Sequence, residues 1–228
     1  MQKLMPDEYA ELQLPDQWVE DIMQEQAEVP WILNQIKDDK TILELGYGAG
    51  IVTRAMVQAG KEVTMVDGSQ DFCNRAEKDG AMSVCTMFED MKFVGKFDCV
   101  IASFVLEHIL DPAIVLMKLR KITNKLIVVI GNANSWHRRL AVEMGIQPDI
   151  YMLSNRDHLV GHYRVYDIET CSVELLRTGW KTVTDIHGFQ FKPLPNSMLA
   201  KLPREVIEAM CTVSIEPKDA ANVGMVWK

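Results

Sequence analysis

The chain has 228 residues, 48% of them hydrophobic, which is enough for the core of one α/β domain. Its formal net charge is -8, from 24 basic and 32 acidic residues, so the charge argues against nucleic acid and anionic membranes as main partners. The five cysteines are widely separated and form no C-x-x-C motif, and the N-terminus has charge and proline where a signal peptide would have an apolar core. Both features predict a reducing cytoplasm. No apolar run has the roughly 20 residues that span a bilayer.

The first 40 residues have a helical, amphipathic pattern. Apolar residues recur at helical spacing up to Ile36, and three prolines interrupt them. We predict two or three short helices that cover one end of a sheet. If these helices close over a binding site, Tyr9 and Trp18 are the candidates to line it.

The stretch from Thr41 to Gly50, TILELGYGAG, predicts a buried strand that ends in a glycine-rich turn before a helix. Glycine lets the backbone approach a ligand closely, and a helix N-terminus offers free N–H groups. A dinucleotide site requires G-x-G-x-x-G, and here Ile51 stands in place of the third glycine. The acidic Glu44 lies inside the strand, where it would repel a pyrophosphate but suits a ligand with an ammonium group.

Asp67 ends the next predicted strand, Glu62 to Asp67. Its two carboxylate oxygens match the two hydroxyl donors of a ribose, a feature shared by several classes of nucleotide-type site. Ser69 is predicted to cap a helix that runs to Lys78, and a third strand is predicted over Ser83 to Met87.

A second signal lies between Phe97 and Pro112, FDCVIASFVLEHILDP. Phe97 to Ser103 is predicted as a buried strand, Phe104 to Ile109 as a segment along the carboxyl edge of the sheet, and Asp111 as the cap of the next helix. The run resembles the F-D-x-V...L-E-H-x-x-D-P stretch of small-molecule methyltransferases related to the ubiquinone-biosynthesis enzymes. The glycine turn resembles motif I of the class I S-adenosylmethionine-dependent methyltransferases.

This resemblance implies a Rossmann-like, doubly wound seven-stranded sheet of order 3-2-1-4-5-7-6, with the last strand antiparallel. It also implies S-adenosylmethionine as cofactor and S-adenosylhomocysteine as product. Met87 and Phe88 stand where the family often has an acidic residue for adenine, so we expect backbone and apolar contacts to the base. The expected cofactor-binding residues are Glu44, Gly46, Tyr47, Gly48, Gly50, Asp67, Gly68, Met87, Phe88, Glu89, Ser103 and Phe104.

The region 131–166 follows a predicted helix over residues 112–123 and a strand over 125–130, and it has little regular periodicity. A long insertion after the carboxyl end of a strand lies where open α/β sheets bind ligands. We therefore expect the substrate here, and we expect His162, or else His137 or His108, to act as a base or to orient the acceptor. The basic and aromatic residues of this insertion that are candidates to hold a substrate are Arg138, Arg139, Tyr163, Arg164 and Tyr166. No metal is predicted, since Gly161 interrupts the His158-x-x-x-His162 spacing.

The remaining pattern predicts a helix over 167–178, a strand over 180–188, a helix over 203–211 and a final strand over 223–227. We predict a single methyltransferase domain, 1–228, with a helical cap over 1–40 and a substrate-site insertion over 131–166.

The predicted function is methyl transfer from S-adenosylmethionine to a small polar acceptor, at the oxygen of a hydroxyl or carboxyl group of a saccharide or other anionic metabolite. Two alternatives stay open: a nicotinamide-dependent reductase and a non-catalytic S-adenosylmethionine-binding partner subunit. The expected partner is a small-molecule substrate, not nucleic acid or a membrane, and the sequence leaves the acceptor and the oligomeric state open.

Overall fold

The computed structural model describes residues 5–92 and 95–228. Its centre is one seven-stranded sheet in the order β3-β2-β1-β4-β5-β7-β6. Strands β1 to β5 pair in parallel, and β7 is antiparallel to both of its neighbours, so the predicted fold class is confirmed. The strands are β1 (Thr41–Leu45), β2 (Glu62–Asp67), β3 (Met82–Cys85), β4 (Cys99–Ser103), β5 (Leu126–Gly131), β6 (Val183–Phe189) and β7 (Asn222–Trp227).

Helices pack on both faces of the sheet. They are α1 (Pro6–Ala10), α2 (Gln17–Met23), α3 (Val29–Gln35), α4 (Ile51–Gln58), α5 (Gln70–Lys78), α6 (Pro112–Ile122), α7 (Trp136–Glu143), α8 (Asn155–Leu159), α9 (Ile168–Arg177), α10 (Asn196–Leu199) and α11 (Arg204–Thr212). No helix among the described residues combines the length and apolar character needed to cross a membrane.

Each face of the sheet carries a hydrophobic core, because successive strand residues point to opposite faces. In β1, Leu43 and Leu45 pack into one core with Val100, while Ile42 packs into the other with Met65. Strands β1, β2, β4 and β5 are mostly buried on both faces, which is why they appear in the sequence as nearly continuous apolar runs, while β3 is a partly exposed edge strand. The carboxyl ends of β1, β2, β4 and β5 therefore meet at one edge of a rigid sheet.

Helices α1, α2 and α3 lie within the described part of 1–40, and residues 1–4 of the predicted cap lie outside the described residues. Helix α2 continues through a π-helical turn, Gln24–Glu28, into α3. Pro30 does not break this run, because it stands in the first turn of α3, where a missing N–H is tolerated. The π-helical turn was not predicted.

Several predicted boundaries are wrong by a few residues. Strand β3 ends at Cys85 and so leaves Met87 in the following turn, β4 begins at Cys99, and β6 begins at Val183. The insertion 131–166 contains two helices, α7 and α8, that its irregular pattern did not predict, and α10 was missed for the same reason. None of these changes moves the edge where β1, β2, β4 and β5 end.

Candidate functional site

The turn after β1 is built on three glycines with positive φ. The φ angles are 77° at Gly46, 55° at Gly48 and 72° at Gly50. A Cβ on Gly50 would lie 2.3 Å from the Tyr47 ring, whereas a Cβ on Gly48 would have no protein atom within 4 Å. Gly50 is therefore required by the packing of the turn, while Gly48 faces open space that a ligand can occupy.

The carboxylate of Asp67 joins the ends of β1 and β2. Its Oδ2 accepts a hydrogen bond from the Tyr47 backbone N–H at 3.0 Å, and its Oδ1 accepts one from the Ser69 N–H at 2.9 Å. Burial raises the pKa of Asp67 from its ordinary value. Each carboxylate oxygen keeps a further lone pair, so Asp67 can still accept from two hydroxyl groups.

Tyr47 contributes its backbone to this turn, while its side chain points elsewhere. The hydroxyl donates to Asp79 Oδ2 at 2.8 Å, and the ring packs on Phe72 with centroids 5.6 Å apart. Burial and the bond to Asp79 raise the pKa of Tyr47 to about 12.

Glu44 lies under the turn, within β1. It is 4% exposed, and its Oε2 accepts a hydrogen bond from Thr53 Oγ1 at 2.6 Å. Burial raises the pKa of Glu44 to about 8. A buried carboxyl of this kind gains most from a cationic neighbour, since a cation favours its charged form.

Gly68, Met87 and Phe88 lie close to the same turn. A Cβ on Gly68 would meet Met87 Sδ at 2.8 Å and Pro6 Cγ at 3.0 Å. A Cβ on Gly46 would meet Val105 Cγ2 at 3.2 Å, and the Phe88 ring lies 3.9 Å away. The structure thus brings the ends of β1 and β2, the turn after β3 and the segment after β4 to one place.

The end of β4 carries two unusual residues that the sequence had marked. The Ser103 hydroxyl is buried and has no partner among the described residues. Phe104 has a φ of 53°, a conformation that non-glycine residues seldom adopt and that is found mainly at functional sites. The contact recorded for Glu89 is outside the turn: its backbone carbonyl accepts a hydrogen bond from the Lys118 ammonium.

Helix α1 covers this edge of the sheet. Asp7 accepts a hydrogen bond from the Ser69 hydroxyl at 2.7 Å, and the Tyr9 ring lies between Phe72, at 6.2 Å, and His108, at 5.7 Å. Burial raises the pKa of Tyr9 to about 12, and the nearby carboxylates act in the same direction. Tyr9 therefore lines the site, whereas Trp18 is 36% exposed on α2.

His162 and His108, which lie far apart in the sequence, are brought together. Their ring centroids are 4.5 Å apart in an edge-to-face arrangement, and Nδ1 of His162 lies 3.1 Å from Asp157 Oδ1. Burial acts to raise the pKa of Asp157, but hydrogen bonds from His162 and Ser154 outweigh it and hold that pKa well below its usual range. A charged Asp157 fixes the His162 ring with Nδ1–H as donor and leaves Nε2 as a proton acceptor.

Glu107 is a second carboxyl beside these histidines. It is 4% exposed, its Oε2 has no partner among the described residues, and its backbone carbonyl accepts from the Tyr163 N–H at 2.8 Å. Burial raises the pKa of Glu107, while the nearby His162 lowers it.

His137 lies in a buried environment that lowers its pKa. Burial lowers the pKa of His137 to about 2, and the neighbouring Lys192 and Arg138 lower it further. Burial therefore favours the neutral form of the His137 ring.

The arginines that the sequence offered as substrate ligands already hold the protein together. Arg138 donates to the Ile150 carbonyl at 2.8 Å and pairs with Asp157. Arg139 pairs with Asp219 at 2.5 Å, and Arg164 donates to the Leu110 carbonyl at 2.7 Å. Their charge is used inside the insertion and at its borders.

Sequence analysis missed the ion pairs that fasten the cap to the insertion. Arg156 of α8 binds Asp16 at 2.6 Å and Glu20 of α2 at 2.8 Å, and Asn196 donates to Glu20 at 2.8 Å. No motif marks these residues, because each resembles an ordinary surface residue in the sequence.

A family model described as a methyltransferase domain matches residues 4–185 of this chain. No curated protein sequence matches it significantly.

Solved structures of similar fold cover nearly the whole chain. A SAM-dependent methyltransferase from Archaeoglobus fulgidus is 17% identical with a TM-score of 0.61, over 92% of this chain and 94% of that one. One from Thermotoga maritima, described as a possible histamine N-methyltransferase, is 15% identical with a TM-score of 0.64, over 93% and 96%. Magnesium protoporphyrin IX methyltransferase from Synechocystis, solved with bound SAH, is 14% identical with a TM-score of 0.58, over 93% and 82%. At these identities the likeness concerns the fold.

Proposed function

Because this chain belongs to the methyltransferase-domain family, we propose that it transfers a methyl group from S-adenosylmethionine to an oxygen of a small polar acceptor. The observation that carries the choice of oxygen is the contact between Asp157 and His162, 3.1 Å apart, with His108 beside them. A hydroxyl acceptor must lose a proton during transfer, and an imidazole oriented by a carboxylate is suited to receive it.

The residues at the glycine turn fit this cofactor. Gly48 offers open space beside the turn, Asp67 has acceptor capacity for two ribose hydroxyls, and the buried carboxyl of Glu44 suits the ammonium of the amino acid tail. Met87 and Phe88 supply apolar contact for the base, and the unpartnered Ser103 hydroxyl adds a donor at the end of β4. The other proposed contributors are Gly46, Tyr47, Gly50, Gly68, Glu89 and Phe104.

S-adenosylmethionine supplies a methyl carbon that its sulfonium has already activated, so the protein mainly positions the acceptor and excludes water. Tyr9 and α1 cover the edge of the sheet and keep water out. Val105 lies beside Gly46, where an added Cβ would meet its Cγ2 at 3.2 Å, and its carbonyl accepts from the His108 N–H at 2.9 Å, which links the glycine turn to the histidines. His162 Nε2 then takes the acceptor proton.

Two other functions were open from the sequence. Family membership argues against a nicotinamide-dependent reductase, as do Ile51 and the buried Glu44. A non-catalytic S-adenosylmethionine-binding subunit differs from an enzyme in turnover alone. Incubation of the protein with methyl-labelled S-adenosylmethionine and fractionated cell extract separates the non-catalytic subunit from the methyltransferase, since only an enzyme produces labelled products.

The proposed base is tested by His162→Asn under single-turnover conditions over a range of pH. We expect a fall of about 100- to 10,000-fold in the transfer rate, the usual contribution of general acid–base catalysis, with unchanged affinity for S-adenosylhomocysteine. His158→Asn is the matched control, because His158 is an exposed histidine of α8, only four residues before His162 in the chain. A rate and pH profile equal to the parent's would exclude His162 and transfer the test to His108.

A further inference from the structure

Two cysteines from different elements lie against the segment that joins β2 to α5. Cys73 belongs to α5, and Cys85 is the last residue of β3. The Cys73 thiol donates to the Asp67 carbonyl, with Sγ 3.7 Å from the oxygen. The Cys85 thiol donates to the carbonyl of the next residue, Gly68, at 4.0 Å. The two thiols therefore contact neighbouring peptide groups of one turn.

One hydrogen bond shows how α5 lies on β3. The Ser83 hydroxyl donates to Glu77 Oε1 at 2.8 Å. Cys85 is two residues after Ser83 in the strand, so both side chains point to the same face of the sheet. Cys73 is four residues before Glu77 in the helix, so these two side chains lie on the same side of α5. Both cysteines therefore face the boundary between α5 and β3.

The positions of the two cysteines along this boundary also agree. Strands β2 and β3 are parallel, and α5, which connects them, runs in the opposite direction. Four residues back along α5 cover about 6 Å, and two residues forward along β3 cover about 6.6 Å. Starting from the contact between Ser83 and Glu77, both steps lead to the same place, so Cys73 lies opposite Cys85.

The two cysteines differ in their access to solvent. Cys85 is exposed, whereas Cys73 is buried. Burial, followed by a hydrogen bond with the Cys85 thiol, raises the pKa of Cys73 to about 12, so Cys73 stays a thiol. An oxidant therefore reaches Cys85 first. An exposed thiol beside a second thiol that can resolve its oxidised form is a common arrangement in redox-sensing proteins.

We propose that Cys73 and Cys85 are a disulfide modification site, and that the bond between them lowers the affinity of the cofactor site. The Cys85 thiolate attacks one sulfur of a small disulfide, such as glutathione disulfide, and one glutathione leaves as a thiolate that takes up a proton. The Cys73 sulfur then attacks the Cys85 sulfur of the mixed disulfide, and the second glutathione leaves with the Cys73 proton. Two protein thiols are oxidised, and one glutathione disulfide is reduced to two thiols.

The effect on affinity follows from what the two thiols contact. Two sulfurs must approach to about 2.05 Å to form the bond, which is far closer than two thiols in contact. This movement draws the start of α5 toward β3, and Ser69, which caps α5, donates its N–H to Asp67 Oδ1 at 2.9 Å. The Asp67 carboxylate is thereby displaced. This part of the proposal rests on the cofactor site proposed above, whereas formation of the bond does not.

The bond is tested by equilibrating the full chain in glutathione buffers of different redox ratio, alkylating the remaining thiols and digesting with trypsin. Cys73 and Cys85 fall in separate tryptic peptides, residues 62–75 and 79–92. We expect these peptides to be linked, with the loss of two hydrogen atoms, and dithiothreitol to remove the link. Full alkylation of both cysteines in the most oxidising buffer, or glutathione that stays on Cys85 without the link, overturns the proposal.

The coupling to the cofactor site is measured by calorimetric titration of S-adenosylhomocysteine into the oxidised and the reduced protein. The disulfide should lower the affinity by about tenfold or more, within the usual range of coupling between two sites, and reduction should restore it. Cys85→Ser should bind as the reduced parent does in either buffer, because it cannot form the bond. Cys211→Ala is the matched control, since Cys211 packs in a separate core with Val19 and Ile22, and it should lose affinity on oxidation as the parent does.

The same coupling has a reciprocal readout. If the disulfide weakens S-adenosylhomocysteine, saturating S-adenosylhomocysteine must destabilise the disulfide by the same factor, so half-oxidation then requires a correspondingly more oxidising glutathione ratio. A linked peptide with unchanged affinity, or a midpoint that the ligand does not move, overturns the coupling. Failure of the reduced protein to bind S-adenosylhomocysteine contradicts the cofactor site of the proposed function, and the coupling with it, while the linked peptide still decides the disulfide.

Discussion

The proposed cofactor side and the proposed acceptor side of the site are built in different ways. On the cofactor side, the backbone forms most of the structure. Three glycines adopt positive φ angles, and the N–H groups of Tyr47 and Ser69, 20 and 2 residues from Asp67 in the sequence, donate to its carboxylate. On the acceptor side, side chains meet across 140 residues between Arg156 and Asp16, and across 176 between Asn196 and Glu20. The first side is a local structure that one helix and two strands complete, whereas the second exists only when the cap, the insertion and the segment after β6 have assembled.

The largest effect should come from Gly48→Val on the cofactor side. The new side chain enters the open space beside the turn, so we expect a loss of at least about 100-fold in S-adenosylhomocysteine affinity, or ~2.7 kcal/mol. Gly60→Val is the matched control, because Gly60 also has a positive φ, 78°, and open space around its Cβ but stands after α4, away from the site.

Calorimetric titration and thermal unfolding of both variants separate binding from strain. Each valine should cost about 1–2 kcal/mol of stability from its left-handed backbone. If Gly60→Val lowered affinity as much as Gly48→Val, the effect of Gly48 would be strain and not occlusion of the ligand.

This contrast also explains what the sequence predicted. Gly48, Asp67 and the strands before them produce a local pattern of apolar runs and turn residues, so their positions followed from spacing. Most of the sheet order came from the family resemblance, and the structure confirms it. For Glu44 the sequence indicated a charged contact inside a buried strand, whereas its hydrogen bond from Thr53 depends on the packing of α4 and became visible only in the structure.

The acceptor side was not predictable in the same way. Nothing in the sequence around Asp16 or Arg156 distinguishes a partly buried ion pair from two surface charges, because their partners are fixed by the tertiary fold. Arg138 and Arg164 were predicted to hold a substrate, but both donate hydrogen bonds to backbone carbonyls of the protein.

A smaller effect concerns pH and compares two buried carboxyls. Burial raises the pKa of both Glu44, at the turn, and Glu28, under the cap, to about 8. If the ligand's ammonium pairs with Glu44, binding requires its ionised form, so affinity for S-adenosylhomocysteine should rise by up to about tenfold per pH unit between pH 6 and 7.5. Glu44→Gln should flatten that slope, and Glu28→Gln should leave it unchanged.

The same two carboxyls have a defined effect on stability. A folded-state pKa above the unfolded value gives stability that is fully present below about pH 4.5 and is lost as the pH rises through about 8. Both glutamine variants should therefore gain stability relative to the parent above pH 8, measured by denaturant unfolding. A flat affinity profile in the parent, or a slope that Glu28→Gln removes, would show that Glu44 does not meet the ammonium.

The smallest effect tests the fastening of the cap. A double-mutant cycle with Asp16→Ala and Arg156→Ala should give a coupling of about 0.5–2 kcal/mol, more than an exposed pair because both side chains are partly buried. Each single variant should lower Tm by a few degrees, roughly 2–4 °C per kcal/mol for a chain of this size. The exposed pair Lys40 and Glu62 serves as the comparison and should show no measurable coupling. Equal coupling in the two pairs would show that the Asp16–Arg156 pair does not fasten the cap.

The separation of the two sides is tested most directly by measuring S-adenosylhomocysteine affinity and single-turnover methyl transfer in Asp67→Ala and His162→Asn. Asp67→Ala should lose about 1–3 kcal/mol of cofactor affinity and recover its transfer rate when the cofactor is saturating. His162→Asn should bind the cofactor as the parent does and stay slow at every cofactor concentration. Equal loss of cofactor affinity in both variants, or a slow Asp67→Ala at saturating cofactor, would contradict a cofactor side and an acceptor side that act separately.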